Sequence, residues 1–147
     1  MKDYLILRVV TKLLTPFILL FALYVQFHGD FGPGGGFQAG VIFASGFILY
    51  GLIFGADMTR RVITPRKVTF FIAAGLLLYA GVGLVSIVLG GNYLDYGLLD
   101  PMLPGEQDMA RSHGILLVEI GVGITVMFSM LAIHINLASN GRFDRGL

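Results

Sequence analysis

Glu119 is the one acidic residue placed inside a long apolar run of this chain, and it is the first residue whose type and position suggest chemistry. A carboxylate at membrane depth is costly unless it faces a polar cavity or a partner, so it points to proton or cation exchange. The competing reading is a Glu119 that is protonated or paired for structural reasons alone. His28 and Asp30 flank the start of a glycine-rich turn. An imidazole, a carboxylate and backbone carbonyls freed by a turn could relay a proton or hold a cation, or could form a solvated rim. His113 reads as a weaker rim residue and His134 as an interfacial one. Three histidines spread along the chain make no common metal site, and there is no cysteine. No His-Glu-x-x-His pair or Gly-x-Ser-x-Gly elbow is present, and the Pro-Gly-Gly-Gly-Phe stretch lacks the Lys-Ser/Thr of a phosphate-binding loop. The expectation is therefore a non-enzyme with no catalytic residue, no metal and no cofactor.

The elements that must position these residues follow from composition. Of 147 residues 56% are hydrophobic and 13% charged, and the apolar ones are clustered. At ~1.5 Å per residue, ~20 residues cross a ~30 Å hydrocarbon core. Four spans are predicted, at about 5–27, 37–56, 67–90 and 113–138, in a single membrane domain covering 1–147. The first reaches full length if Arg8 and Lys12, one turn apart, snorkel to the same interface. It has no small-residue cleavage site and is read as retained. The expected fold is an all-α integral membrane protein with four transmembrane helices.

Charge sets its orientation. Lys2, Arg8 and Lys12 precede the first span, Arg60, Arg61, Arg66 and Lys67 lie between the second and third, and Arg142 and Arg145 follow the fourth. The other loops carry Asp30, Asp95, Asp100, Glu106 and Asp108, with Arg111 the one basic exception. The positive-inside rule then places both termini in the cytoplasm. Basic residues that track topology in this way leave no face for nucleic acid.

The turn from His28 to Gly40 separates the first two spans. Pro33 ends an arriving helix, Gly34, Gly35 and Gly36 are free to take positive φ, and Phe37 opens the next run. Gly36, Gly40 and Ala44 form a small-residue row suited to close helix packing, as do Gly51 and Gly55. Pro16 should loosen the first helix, with Thr11 and Thr15 available to the freed backbone. Thr64-Pro65 suits the start of the third helix. The loop from Gly90 to Ser112 carries Tyr93, Leu94, Tyr96, Leu98, Leu99, Met102 and Leu103, apolar enough to lie on the membrane surface or on a partner. Counted from a helix start near His113, Glu119 would lie ~9 Å along, about a third of the way through the core.

Pro33-Gly34-Gly35-Gly36-Phe37 with Ala39-Gly40, Glu119-Ile120-Gly121-Val122, and Leu103 to Glu106 before the last helix together resemble the MnhB/MrpB family, the small B-type component of Mrp-type multisubunit Na+/H+ antiporters. That family shows Gly-Gly at 39–40 and often a second histidine where Asp30 stands. The resemblance covers nearly the whole chain and implies four spans. It further implies a subunit in a bacterial or archaeal cell membrane, assembled with A, C, D, E, F and G type subunits and contributing to a sodium path. A contact between two copies of the chain would also be compatible. Related B-type subunits occur in membrane-bound hydrogenases and kindred respiratory complexes, so that reading stays open, as does a stand-alone small carrier or channel. Within the family reading, the ion-path candidates are Glu119, His28 and Asp30, and Pro33, Gly34, Gly35, Gly36, Phe37 and Gly40 form the structural turn.

Overall fold

The computed structural model describes residues 4–29, 32–55, 63–99 and 107–138. It contains helices α1 (Leu5–His28), α2 (Gly36–Phe54), α3 (Pro65–Val88) and α4 (Gln107–Ala138), with a short 3₁₀ turn at Tyr96–Leu99. All four helices are long and apolar enough to cross a membrane, and no strand occurs among the described residues. The expected all-α class with four membrane-length helices is what the chain adopts. Asp30, Met102 and Leu103 of the long loop, and the basic residues Lys2, Arg60, Arg61, Arg142 and Arg145 lie outside the described residues.

Local chemistry sets the helix ends. Thr64 is the N-cap of α3 and Pro65 takes its first position, where a missing N–H removes no intrahelical bond. Gly35 caps α2 at φ 110°, and Gly55 ends it at φ 99° with its N–H donated to the Gly51 carbonyl. Both are backbone conformations that a side chain would strain. α1 continues through Pro16, and the Thr15 hydroxyl donates to the Thr11 carbonyl at 2.8 Å.

α1 packs on α2, α2 on α4, and α4 on α3, so the helices stand in the order α1, α2, α4, α3, and α1 meets α4 only marginally. Apolar burial between helices gains little over lipid, so such a row depends on close contact between small residues. α4 supplies it on two sides. Gly121 faces Gly75 of α3, where an added Cβ would stand 2.9 Å from the Gly75 carbonyl oxygen. Gly123, two residues on, faces α2, and an added Cβ at Gly40 would stand 2.6 Å from the Gly123 carbonyl oxygen. Two residues rotate a helix by roughly 200°, which is why this pair serves opposite neighbours.

Toward the C-terminal end of α4 the packing is conventional. Ile63, Val68, Leu131 and Ile135 are buried together, and Phe71 stacks on Phe128 at 4.6 Å. Arg8 and Lys12 both lie over the Phe54 ring, at 5.2 and 5.6 Å, in keeping with their expected shared interface.

The loop after α3 differs from expectation. Its apolar residues, expected on the membrane or on a partner, in part fold back on the chain itself. The Tyr93 ring occupies the space over Gly83, Tyr96 lies against Gly114, Leu98 lies against Gly91, and Leu99 is buried. Glycines at 83 and 114 leave clefts that tyrosine rings can fill, so the chain covers its own helices here.

Candidate functional site

Two features far apart in sequence, the glycine turn and Glu119, meet at one point. The turn is built by backbone. The Gly35 N–H donates to the Val25 carbonyl at 3.2 Å, reaching back over the end of α1, and the Ala39 N–H donates to the Gly35 carbonyl at 3.0 Å to begin α2. A Cβ at Gly34 would stand 2.8 Å from the Val25 oxygen, so this return leaves no room for a side chain.

The Glu119 carboxylate lies directly on the turn. A Cβ at Gly29 would be 2.6 Å from its Oε2 and 2.8 Å from its Oε1, and one at Gly35 would be 3.0 Å from Oε1. A Cβ at Gly36 would collide with the Glu119 backbone carbonyl. Gly29, Gly35 and Gly36 thus form a cradle whose missing side chains are the space the acid occupies. The carboxylate also stands beside the first turn of α2, the positive end of that helix dipole.

This changes the expected depth of Glu119. α4 starts at Gln107 and not near His113, so Glu119 is twelve residues in, ~18 Å along the helix, and level with the first turn of α2. It belongs to the end of the bundle that carries the turn.

The other candidates fall around this point unequally. His28 stacks on Tyr24 at 5.1 Å, and its Nε2 lies 3.1 Å from where a Cβ of Gly32 would be, so it packs on the rim of the turn. Pro33 and Phe37 are exposed, while Gly35, Gly36 and Gly40 are buried. His113 and His134 are 21 residues, ~31 Å, apart on α4, too far to act together. Among the described residues no three histidines or carboxylates converge as a metal cluster.

Two residues near the site were not singled out by their sequence. Gln26 of α1 is 6% exposed, its Oε1 is 2.6 Å from the position a Cβ of Gly123 would take, and its Nε2 is buried with no hydrogen-bond partner among the described residues. The signal was present, since Gln26 is the one amide side chain in the apolar run from Leu13 to Phe27. Tyr96 comes from the long loop. Burial pushes its phenol above the ordinary value near 10, and Tyr79, Tyr93 and Glu119 push the same way. Its nearness to Glu119 had no local signature, because it depends on how the loop folds over Gly114.

A groove of about 130 Å³ between α3 and α4, lined by Leu76, Tyr79, Val122, Thr125 and Val126, is apolar. Chemistry therefore concentrates at the junction of α1, α2 and α4.

Comparison with known proteins gives this junction a family context. A family described as "Domain related to MnhB subunit of Na+/H+ antiporter" matches residues 6–132. The chain is 34% identical over 130 residues to the B-type Na(+)/H(+) antiporter subunit of Bacillus subtilis (strain 168), covering 84% of this chain and 90% of that protein. It is 32% identical over 131 residues to the B-type Na(+)/H(+) antiporter subunit of Alkalihalophilus pseudofirmus, covering 85% of this chain and 90% of that one.

Proposed function

The chain belongs to the family of MnhB-related antiporter subunits, and from that premise we propose that it is a membrane subunit of a multisubunit Na+/H+ antiporter in which the Glu119 junction lines the ion path. One observation carries the reading. A carboxylate is seated in a cradle of three glycines where the end of α1, the start of α2 and the middle of α4 meet. Ionisable groups inside spans are retained where they face a pathway or a partner, and helix ends at such points are suited to ions.

The architecture supports a role inside a larger assembly. α1 packs along α2 and touches α4 only near its C-terminal end, with 11% of its most apolar window buried against the rest of the chain. Among the described residues the helices stand in the row α1, α2, α4, α3, an arrangement that further subunits can complete. Partners of the A, C, D, E, F and G types would complete the walls, with the sodium ion and the proton as transported species. In this reading the basic loops and both termini face the cytoplasm of a bacterial or archaeal cell, and the glycine turn faces outward. His28 and Asp30 then stand at the outer mouth.

The test is Glu119→Gln in the intact complex, assayed in everted membrane vesicles. Coupled sodium/proton exchange is expected to fall at least tenfold while the complex assembles at normal yield. Normal exchange in this variant, or loss of assembly without any transport defect per assembled complex, would reject the role on the ion path.

A further inference from the structure

We propose that Gln26 is a second ligand at this junction, and that its amide and the Glu119 carboxylate together hold a small, partly hydrated monovalent cation. This rests on the reading that Glu119 is on the ion path, and adds a residue and a ligand class to it.

The geometry begins with the facing residues. On α1, Gln26 and Gly29 are three apart and share a face; on α4, Gly123 and Glu119 are four apart and share a face. Gln26 lies against Gly123 and Gly29 lies against Glu119. The amide and the carboxylate therefore occupy adjacent levels of the α1/α4 junction, one helical turn apart. Their levels differ by about one helical pitch, ~5.4 Å, a gap that two flexible side chains reaching out from facing helices can close on one ion. Gly36 contributes a carbonyl oxygen at the same level, 3.2 Å from where a Cβ of Gly123 would be.

Burial makes Gln26 unusual. Its side chain is 6% exposed, and its Nε2 has no hydrogen-bond partner among the described residues. A buried amide atom left unsatisfied costs ~1–3 kcal/mol, and a bound ion or water is one way a native fold accounts for such a group. The nitrogen makes no hydrogen bond, so turning the amide over sacrifices none there and presents oxygen in its place; the two amide atoms are near-equal in shape. Amide, carboxylate and backbone carbonyl oxygens are the ligands that hard cations take. The C-terminal end of α1 also lies here, and the negative end of a helix dipole favours a cation. With few protein ligands, such a site binds weakly enough to release its ion, as transport requires.

The experiment uses the whole antiporter complex carrying Gln26→Leu, with sodium and lithium as probes. The apparent KM for Na+ of exchange is expected to rise at least tenfold at unchanged complex yield. In purified complex, Na+ should slow the labelling of Glu119 by a hydrophobic carbodiimide, and Gln26→Leu should abolish that protection. An unchanged KM with intact protection overturns the proposal. So does a displaced pH profile at saturating Na+ with an unchanged KM, which would make Gln26 a holder of water on a proton route. Should Gln26→Leu fail to assemble, Gln26→Asn is read instead, with an expected rise in KM of threefold or more and an unchanged value again overturning the site. The outcome is separable from the broader reading: if Glu119→Gln abolishes exchange while the Gln26 variants leave the KM for Na+ unchanged, only the Gln26 ligand falls.

Discussion

α4 crosses its two neighbours by the same device and with different results. Against α3, Gly121 meets Gly75, and the Thr125 hydroxyl returns to the Gly121 carbonyl at 2.8 Å, so the polar groups at this crossing are occupied in packing. Against α2 and the end of α1, Gly123 meets Gly36 and Gly40, and the glycines continue past the crossing into the turn, where Glu119 is seated. Close approach of helices is thus a general property of the chain. A chemical site arises where the glycines also free backbone beside a carboxylate.

The largest effect should come from closing the cradle. Gly36→Ala places a methyl group on the Glu119 carbonyl, which neither backbone can yield without separating α2 from α4. The subunit is expected to be lost from the complex, with a more than tenfold drop in assembled yield on native gels. Normal yield would show that the α2/α4 crossing is softer than the α3/α4 one. Second in size is the acid itself, since Glu119→Gln should lower exchange with assembly intact.

Gly121→Ala should separate the two crossings more finely. Its methyl group would stand 2.9 Å from the Gly75 oxygen and from the Tyr79 nitrogen, an overpacking that costs about 1–3 kcal/mol. The expected result is a lower melting temperature of the purified complex with an unchanged KM for Na+ in what remains assembled. A shifted KM would mean that the α3 crossing also positions the ion. Gly81→Ala is the matching control, since no atom of the described residues lies within 4 Å of its added Cβ. It should leave stability equal or raise it by up to about 1 kcal/mol through helix propensity.

The smallest effect is expected at Tyr96. Its folded-state pKa is raised above 10, so the folded protein keeps this proton where the unfolded chain loses it. The stabilisation is fully present below about pH 10 and is lost as the pH rises through the folded value. Tyr96→Phe should therefore leave the exchange profile unchanged at neutral pH and alter stability only in strong alkali, read from thermal melts across pH. A change near neutrality would place the phenol in the transport step.

Some of this was legible beforehand. Thr64-Pro65 announces the start of α3 because proline fits where no intrahelical N–H is needed. Arg8 and Lys12 announce one end of α1 because charged heads must leave the apolar layer. The turn at Gly34 to Gly36 was visible as backbone chemistry, and Glu119 as a charge in an apolar run. His28, read as an ion contact or a rim residue, stacks on Tyr24, since an aromatic one turn earlier offers its ring a surface.

Length, hydropathy and glycine or proline punctuation are local properties, so the number of helices, their approximate ends and the one acid within their apolar runs were readable from the residues alone. That Glu119 meets the turn, that Gln26 lies at the same junction and that α4 stands between α2 and α3 emerged with the packing of the helices. Helices apolar on nearly every side carry no strong periodic signal for which face turns inward. Their rotation and order are set by where small residues let backbones approach, and that is a property of pairs.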